Sequence, residues 1–333
     1  AVFQRLRAID RIIEGRYVFI VTSAEAVLHK LIPKQLFERC VLRFALGERF
    51  DLGDLSQRLV AMGYERVDTV EATGQFAVRG GIIDIFPVNM DWAVRIEFFD
   101  DEVDSIRRFD TGSQRSIEKL EGVKIIPARE IIYLQEQKNG IISRIREELA
   151  SQVSRVRDKG SSGYIEQLEE KINLDIEKME SEYYFPGIDR YIPFIAENPA
   201  ALTEYAPDSP LVFVDEPARL RQRVENVLLE HQEACKSLME KGVLLPSSQE
   251  LFFDYESLSS KLSDSRIIFL NTINTGSGGF KVRKNIDIPS RLIASYRGHM
   301  DLLSEDVRGW KEAKNRIVIL SGTRGRGERL AEM

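Results

Sequence analysis

Few of the residues in this chain that could do chemistry stand at spacings that chemistry requires. His29, His231 and His299 are far apart and follow no metal-ligand pattern, and Cys40 and Cys235 form no CxxC. Asp215-Glu216 closes the apolar run Leu211–Val214, where paired carboxylates could hold magnesium for phosphoryl transfer. No Gly-x-x-x-x-Gly-Lys-Ser/Thr occurs to supply the phosphate cradle. The simpler reading is that Asp215 caps the following helix and Pro217 sits in its first turn. Gly322-Thr323-Arg324-Gly325-Arg326-Gly327 is glycine-rich but lacks the lysine and hydroxyl of a phosphate loop, so it reads as a strand-to-helix turn. These observations predict no catalytic, cofactor or metal residue in the chain.

Binding chemistry stands out more clearly. Ala93–Phe99 alternates strictly, with Val94, Ile96 and Phe98 on one side and Arg95, Glu97 and Phe99 on the other. Arg79 ends the run Gln75–Arg79 nearby. An exposed aromatic flanked by guanidinium groups suits a protein interface, because aromatic residues and arginine dominate hot spots and arginine pairs bidentately with carboxylates. Periodicity alone leaves an alternative open. Phe99 could lie on a second buried face, with the arginines paired to Glu97 or Asp101.

Around these residues stand 333 positions, 43% hydrophobic and 30% charged, enough for two or three domains with apolar cores. The net charge of -6 opposes non-specific duplex binding, which relies on Lys and Arg neutralising phosphates. Two cysteines suit a reducing cytoplasm. No apolar run reaches the ~20 residues that a membrane span needs. The opening residues are not a signal peptide and read as mid-helix, so the chain is expected to begin inside a larger protein.

The elements follow from periodicity and breakers. An apolar stripe over residues 1–14 predicts a helix ended by Gly15, and Tyr17–Val21 reads as a buried strand. Thr22 and Ser23 cap a helix to about Lys30, and a strand is expected near Val41–Phe44. Leu52, Leu55, Leu59 and Val60 mark a helix ending at Gly63. Short strands follow at Tyr64–Glu71, Gln75–Arg79, Ile82–Phe86, Ala93–Phe99 and Val103–Phe109, separated by glycine and aspartate turns. Residues 141–182 predict two charged helices broken at Gly160–Gly163, with a solvated face of i,i+4 pairs. Tyr183, Tyr184, Phe185, Tyr191 and Phe194 should pin a proline-rich stretch onto the sheet. Leu211–Val214, Arg266–Asn271 and Arg316–Leu320 read as strands, with a long helix from Pro217 to about Lys241.

One stretch carries a wider signal. It runs Tyr64-Glu65-Arg66-Val67-Asp68, then Gly74-Gln75-Phe76-Ala77-Val78-Arg79-Gly80-Gly81-Ile82-Ile83-Asp84-Ile85-Phe86-Pro87. Arg95-Ile96-Glu97-Phe98-Phe99-Asp100-Asp101-Glu102-Val103-Asp104-Ser105-Ile106 follows, then Phe109-Asp110 and Ser113-Gln114-Arg115-Ser116. It resembles the small UvrA-binding domain shared by the excision-repair protein UvrB and the bacterial transcription-repair coupling factors (Mfd). Phe98-Phe99-Asp100-Asp101-Glu102 and Ser113-Gln114-Arg115-Ser116 look like the coupling factors, since UvrB usually has Gly at the position of Asp100.

The resemblance implies a UvrA-contact role for Arg79, Arg95 and Phe99. It implies an α/β fold: a helicase-like, P-loop-type but degenerate sheet domain, interrupted by a small antiparallel α+β UvrA-binding domain, plus the start of a third α/β domain. The implied units are 1–47 with 131–271, the UvrA-binding domain at 48–130, a linker at 272–289 and a partial domain at 290–333. It further implies a cytoplasmic protein that releases RNA polymerase stalled at DNA lesions and recruits nucleotide excision repair. ATP, magnesium, RNA polymerase and DNA would engage parts beyond Met333, and a carboxy-terminal domain would mask the UvrA surface. A UvrB-type repair subunit and a DNA-binding scaffold remain alternatives; nucleotide titration and the salt dependence of duplex binding separate them.

Overall fold

The computed structural model describes residues 2–17, 19–157, 162–181, 185–206, 210–273, 276–290, 295–296 and 299–332. Residues 1–281 form one unit and residues 282–333 another. Val18, Tyr183, Tyr184 and part of the predicted helix break at Gly160–Gly163 fall outside the described residues.

The first unit opens with helix α1 (Val2–Ile13), whose Leu6, Ile9 and Ile12 are buried at helical spacing. Among the described residues of Tyr17–Val21 the predicted strand does not form; Phe19 and Val21 stand in solvent. An apolar run becomes a strand only where a neighbour supplies ladder hydrogen bonds. Helix α2 (Ala24–Leu28) is capped by Ser23, whose hydroxyl accepts from Ala26 N, and α3 (Lys34–Arg39) follows Pro33. Strand β1 (Leu42–Ala45) pairs antiparallel with β8 (Gly122–Ile125), about eighty residues on. Helix α4 (Leu52–Ala61) starts at Asp51, whose carboxylate accepts from Asp54 N, and buries Leu55 and Leu59.

A six-stranded sheet follows, ordered β2 (Glu65–Arg66), β3 (Gln75–Arg79), β4 (Ile82–Ile85), β5 (Ala93–Phe99), β6 (Glu102–Phe109) and β7 (Ser116–Leu120). All neighbours are antiparallel except β2 and β3. The strand expected over Tyr64–Glu71 shrinks to two residues, because the chain beyond Arg66 crosses the sheet face. One face, with Phe76, Ile83, Ile85, Val94, Ile96, Phe98 and Ile106, joins α1, α4 and the later helices in the main core. Arg7 donates to the Val88 and Met90 carbonyls and pairs with Asp91, and Lys124 reaches Asp10 and Glu14. These contacts tie α1 to the sheet domain.

Helices α5 (Gln135–Arg157) and α6 (Ser162–Glu180) form a hairpin over the same core. Phe185, Tyr191 and Phe194 are buried, but they pin the next stretch to this hairpin rather than to a sheet. The Tyr191 hydroxyl donates to the wholly buried Asp175 of α6 at 2.9 Å, and Arg144 of α5 donates to the Phe194 carbonyl. Buried polar groups need such partners, and here the partners sit on helices. The short helix α7 (Ile192–Ile195) lies within this stretch.

Strand β9 (Leu211–Asp215), helix α8 (Pro217–Glu240), helix α9 (Tyr255–Ser263) and strand β10 (Arg266–Leu270) make a crossover unit whose two strands pair in parallel. Glu216, not Asp215, occupies the N-cap position of α8, and it makes no side-chain cap. Its φ of 49° turns its carboxylate onto Thr272 N at 2.9 Å. Pro217 takes the first helical position, where its missing N–H costs nothing. In the second unit, helices α10 (Met300–Glu312) and α11 (Arg324–Glu332) bury no residue. The predicted strand at Arg316–Leu320 is absent, and α11 begins inside the glycine-rich run.

Candidate protein-interaction site

The face of the six-stranded sheet opposite the main core carries the predicted site. Register places Arg79, Ile82, Glu97 and Ser105 in one row across β3 to β6, and Ala77, Asp84, Arg95 and Arg107 in the next. Phe99 continues the Arg95–Glu97 alternation at the end of β5. Arg79, Arg95 and Phe99 therefore belong to one face, but their surroundings differ.

Phe99 is 80% exposed. The β5–β6 turn beside it bends through Asp100, whose φ is 59°. The Gly80-Gly81 turn supports the same corner: Phe98 N donates to the Gly81 carbonyl at 2.8 Å, and a Cβ on Gly81 would lie 2.9 Å from the Phe98 oxygen. Only glycine lets these backbones approach so closely.

Arg79 is exposed. Its Nε and Nη2 donate to the Asp68 carbonyl at 3.2 and 2.8 Å, and Nη2 also donates to Thr69 Oγ1 at 3.1 Å. These acceptors are neutral, and among the described residues no carboxylate pairs with Arg79. The guanidinium is oriented while its charge stays uncompensated, as a surface awaiting a carboxylate requires.

Arg95 is different. Its side chain is 17% exposed, and it grips Asp84, 2% exposed, through Nε at 2.7 Å and Nη2 at 2.9 Å. Donation to the Asp84 carboxylate, and the charge of that carboxylate, hold the Arg95 pKa above the usual arginine value. The guanidinium carbon lies 4.8 Å from the Phe109 ring centre, and Nη1 donates to the Gln114 carbonyl at 3.3 Å. The partner is thus neither Glu97 nor Asp101. Glu97 instead accepts from Ser105 Oγ at 2.5 Å and lies 3.4 Å from Arg107.

Strand alternation did not reveal Asp84, Arg107 or Gln114 as members of this face. The polar Asp84 between Ile83 and Ile85 was the available signal. Part of the face is covered by the chain itself: Val70 packs with Ala77, Ala93 and Phe109 in a small second core. The remainder combines polar groups that mostly have partners, the Arg79 charge that meets no carboxylate among the described residues, and one bare aromatic, which suits reversible protein binding.

Residues 42–131 match the family model described as the UvrB interaction domain. Similarity extends along the whole chain. It is 30% identical over 334 residues to the transcription-repair-coupling factor of Bacillus subtilis (strain 168), covering 99% of this chain and 28% of that protein. It is 27% identical over 331 residues to the Staphylococcus aureus (strain USA300) factor, again covering 99% and 28%. To UvrABC system protein B of Thermotoga neapolitana it is 27% identical over 346 residues, 98% of this chain and 51% of that protein. The chain therefore spans under a third of the coupling factors and about half of that UvrB. The match to the interaction domain begins at the first residue of β1 and ends past β8, so it encloses both strands of that pair and the whole six-stranded sheet.

Proposed function

We infer that this chain is the UvrA-recruiting part of a transcription-repair coupling factor, and that UvrA docks on the face carrying Arg79, Arg95 and Phe99. The observation that carries this reading is the bare Phe99 ring on the interaction domain, on the same face as a guanidinium whose charge meets no carboxylate. Nothing in this reading requires catalysis by the chain. Hydrolysis of ATP with magnesium, DNA translocation and RNA polymerase contact belong to other parts of a full-length coupling factor. Masking of the UvrA surface by a carboxy-terminal domain, and a cytoplasmic location, are part of the same proposal.

The parallel pair β9–β10 and its helices support reading residues 1–47 with 131–271 as a helicase-like sheet domain that has lost its phosphate loop. The coupling-factor reading is preferred to UvrB because Asp100 stands where UvrB usually has glycine. Pull-down of UvrA by the full chain, against an Arg79→Ala/Arg95→Ala variant, is the direct test. Strong capture by the parent chain and weak capture by the variant is expected; equal capture would overturn the assignment of the face. Nucleotide titration of the chain separates the UvrB alternative, which requires binding.

A further inference from the structure

Arg79 and Arg95 are joined by a chain of contacts that ends in an exposed loop. Asp84 lies on a central strand, directly opposite Arg95 in the ladder. Its carboxylate is nearly out of water, a position tolerable only with a well-placed cation. Arg95 satisfies it with two donors and extends a third to the Gln114 carbonyl. Gln114 adopts φ 58°, a conformation that non-glycine residues rarely hold without support. Its side-chain amide donates to the Thr111 carbonyl at 2.7 Å and the Val70 carbonyl at 3.2 Å.

The loop Asp110–Arg115 is closed by Asp110, whose Oδ1 accepts from Ser113 N and Ser113 Oγ, each at 2.7 Å. Val70 follows Asp68 and Thr69, the residues that orient Arg79. The contacts therefore run without a gap from Asp84 through Arg95 and Gln114 to the segment holding Arg79.

We propose that Asp84 and Arg95 are a positioning pair for partner recognition, fixing the Asp110–Arg115 loop and the Asp68–Val70 segment so that Arg79 and the loop meet the partner in one arrangement. Arg95 then serves binding through geometry, not through its own charge, which Asp84 neutralises. Arg79 and Phe99 remain the contact residues. This inference rests on the docking face proposed above.

The test uses the full chain and purified UvrA, with association and dissociation rates measured at two salt concentrations and amide exchange followed across residues 110–115. Arg95→Lys keeps the charge but cannot grip Asp84 with two donors and also reach Gln114. It should weaken binding about tenfold or more, mainly through faster dissociation, leave the salt dependence unchanged and speed exchange at Ser113 and Gln114. Asp84→Asn should do the same, and the double variant should lose little more than either alone.

Should either substitution unfold the domain, Gln114→Gly replaces them, because it keeps the backbone conformation and removes only the side-chain bonds. It should also speed loop exchange and dissociation together. Wild-type binding by Arg95→Lys, or a shallower salt dependence with unchanged loop exchange, would overturn the positioning role. Absence of UvrA binding by the unmodified chain would instead defeat the docking reading itself.

Discussion

Both the six-stranded sheet and the parallel pair β9–β10 show large apolar side chains to water, but in opposite arrangements. On the six-stranded sheet, Phe99 stands among polar groups that mostly have partners, with the Arg79 charge meeting no carboxylate among the described residues. On the parallel pair, Leu211, Phe213, Ile268 and Leu270 fall on one face by register, bounded by Arg266 opposite Leu211 and Asp215 opposite Leu270, with Phe213 55% exposed. Each strand of that pair has one ladder neighbour among the described residues. A single anchor ringed by polar atoms suits a partner that comes and goes. A stripe with open strand edges is a kind of surface that folded proteins seldom leave to water.

The comparison breaks most readily on stability. Phe76 is fully buried between the sheet and the main core. Phe76→Ala should cost about 3–5 kcal/mol in urea unfolding, whereas Phe213→Ala should change stability by less than about 0.5 kcal/mol. A comparable loss at Phe213 would mean that the stripe is already covered. Next in size, Phe99→Ala should weaken UvrA binding by about 2 kcal/mol, roughly thirtyfold, without moving the unfolding midpoint. A shifted midpoint at unchanged affinity would make Phe99 a packing residue.

Arg79→Ala should weaken binding by about tenfold and flatten its dependence on salt. Titration calorimetry at two ionic strengths reads both. The smallest effect concerns the crossover unit. Asp254 caps α9 by accepting from Ser257 N at 2.6 Å, and that backbone hydrogen bond holds its pKa below the usual aspartate value. A depressed carboxyl contributes stability above its unfolded pKa and loses it as pH falls through the folded one. Asp254→Ala should therefore cost about 1 kcal/mol at neutral pH. The gap to wild type should close in acid below the ordinary aspartate range. A constant gap across pH would show that the cap does not act through its charge.

Much of the local structure was legible in the residues. Gln75–Arg79 and Ala93–Phe99 form strands with the predicted ends, because glycine and aspartate turns bound them and alternation spans them. Helices α1, α4 and α8 begin or end at their predicted breakers or caps. The resemblance to the UvrB interaction domain was recognisable because the turns and strands keep a fixed spacing. Alternation also put Arg95 and Phe99 on one side of β5.

What a side chain meets on that side was settled only by tertiary structure. Asp84 faces Arg95 because two strands align in one register, and alternation names a face without naming a neighbour. Likewise β1 finds β8 some eighty residues away, while Arg316–Leu320 and the described residues of Tyr17–Val21, also apolar, pair with no strand. Backbone propensity and turn chemistry act over a few consecutive residues and are written locally. Hydrogen-bond ladders, ion pairs and burial depend on which distant segments meet, so they are fixed only when the chain closes on itself.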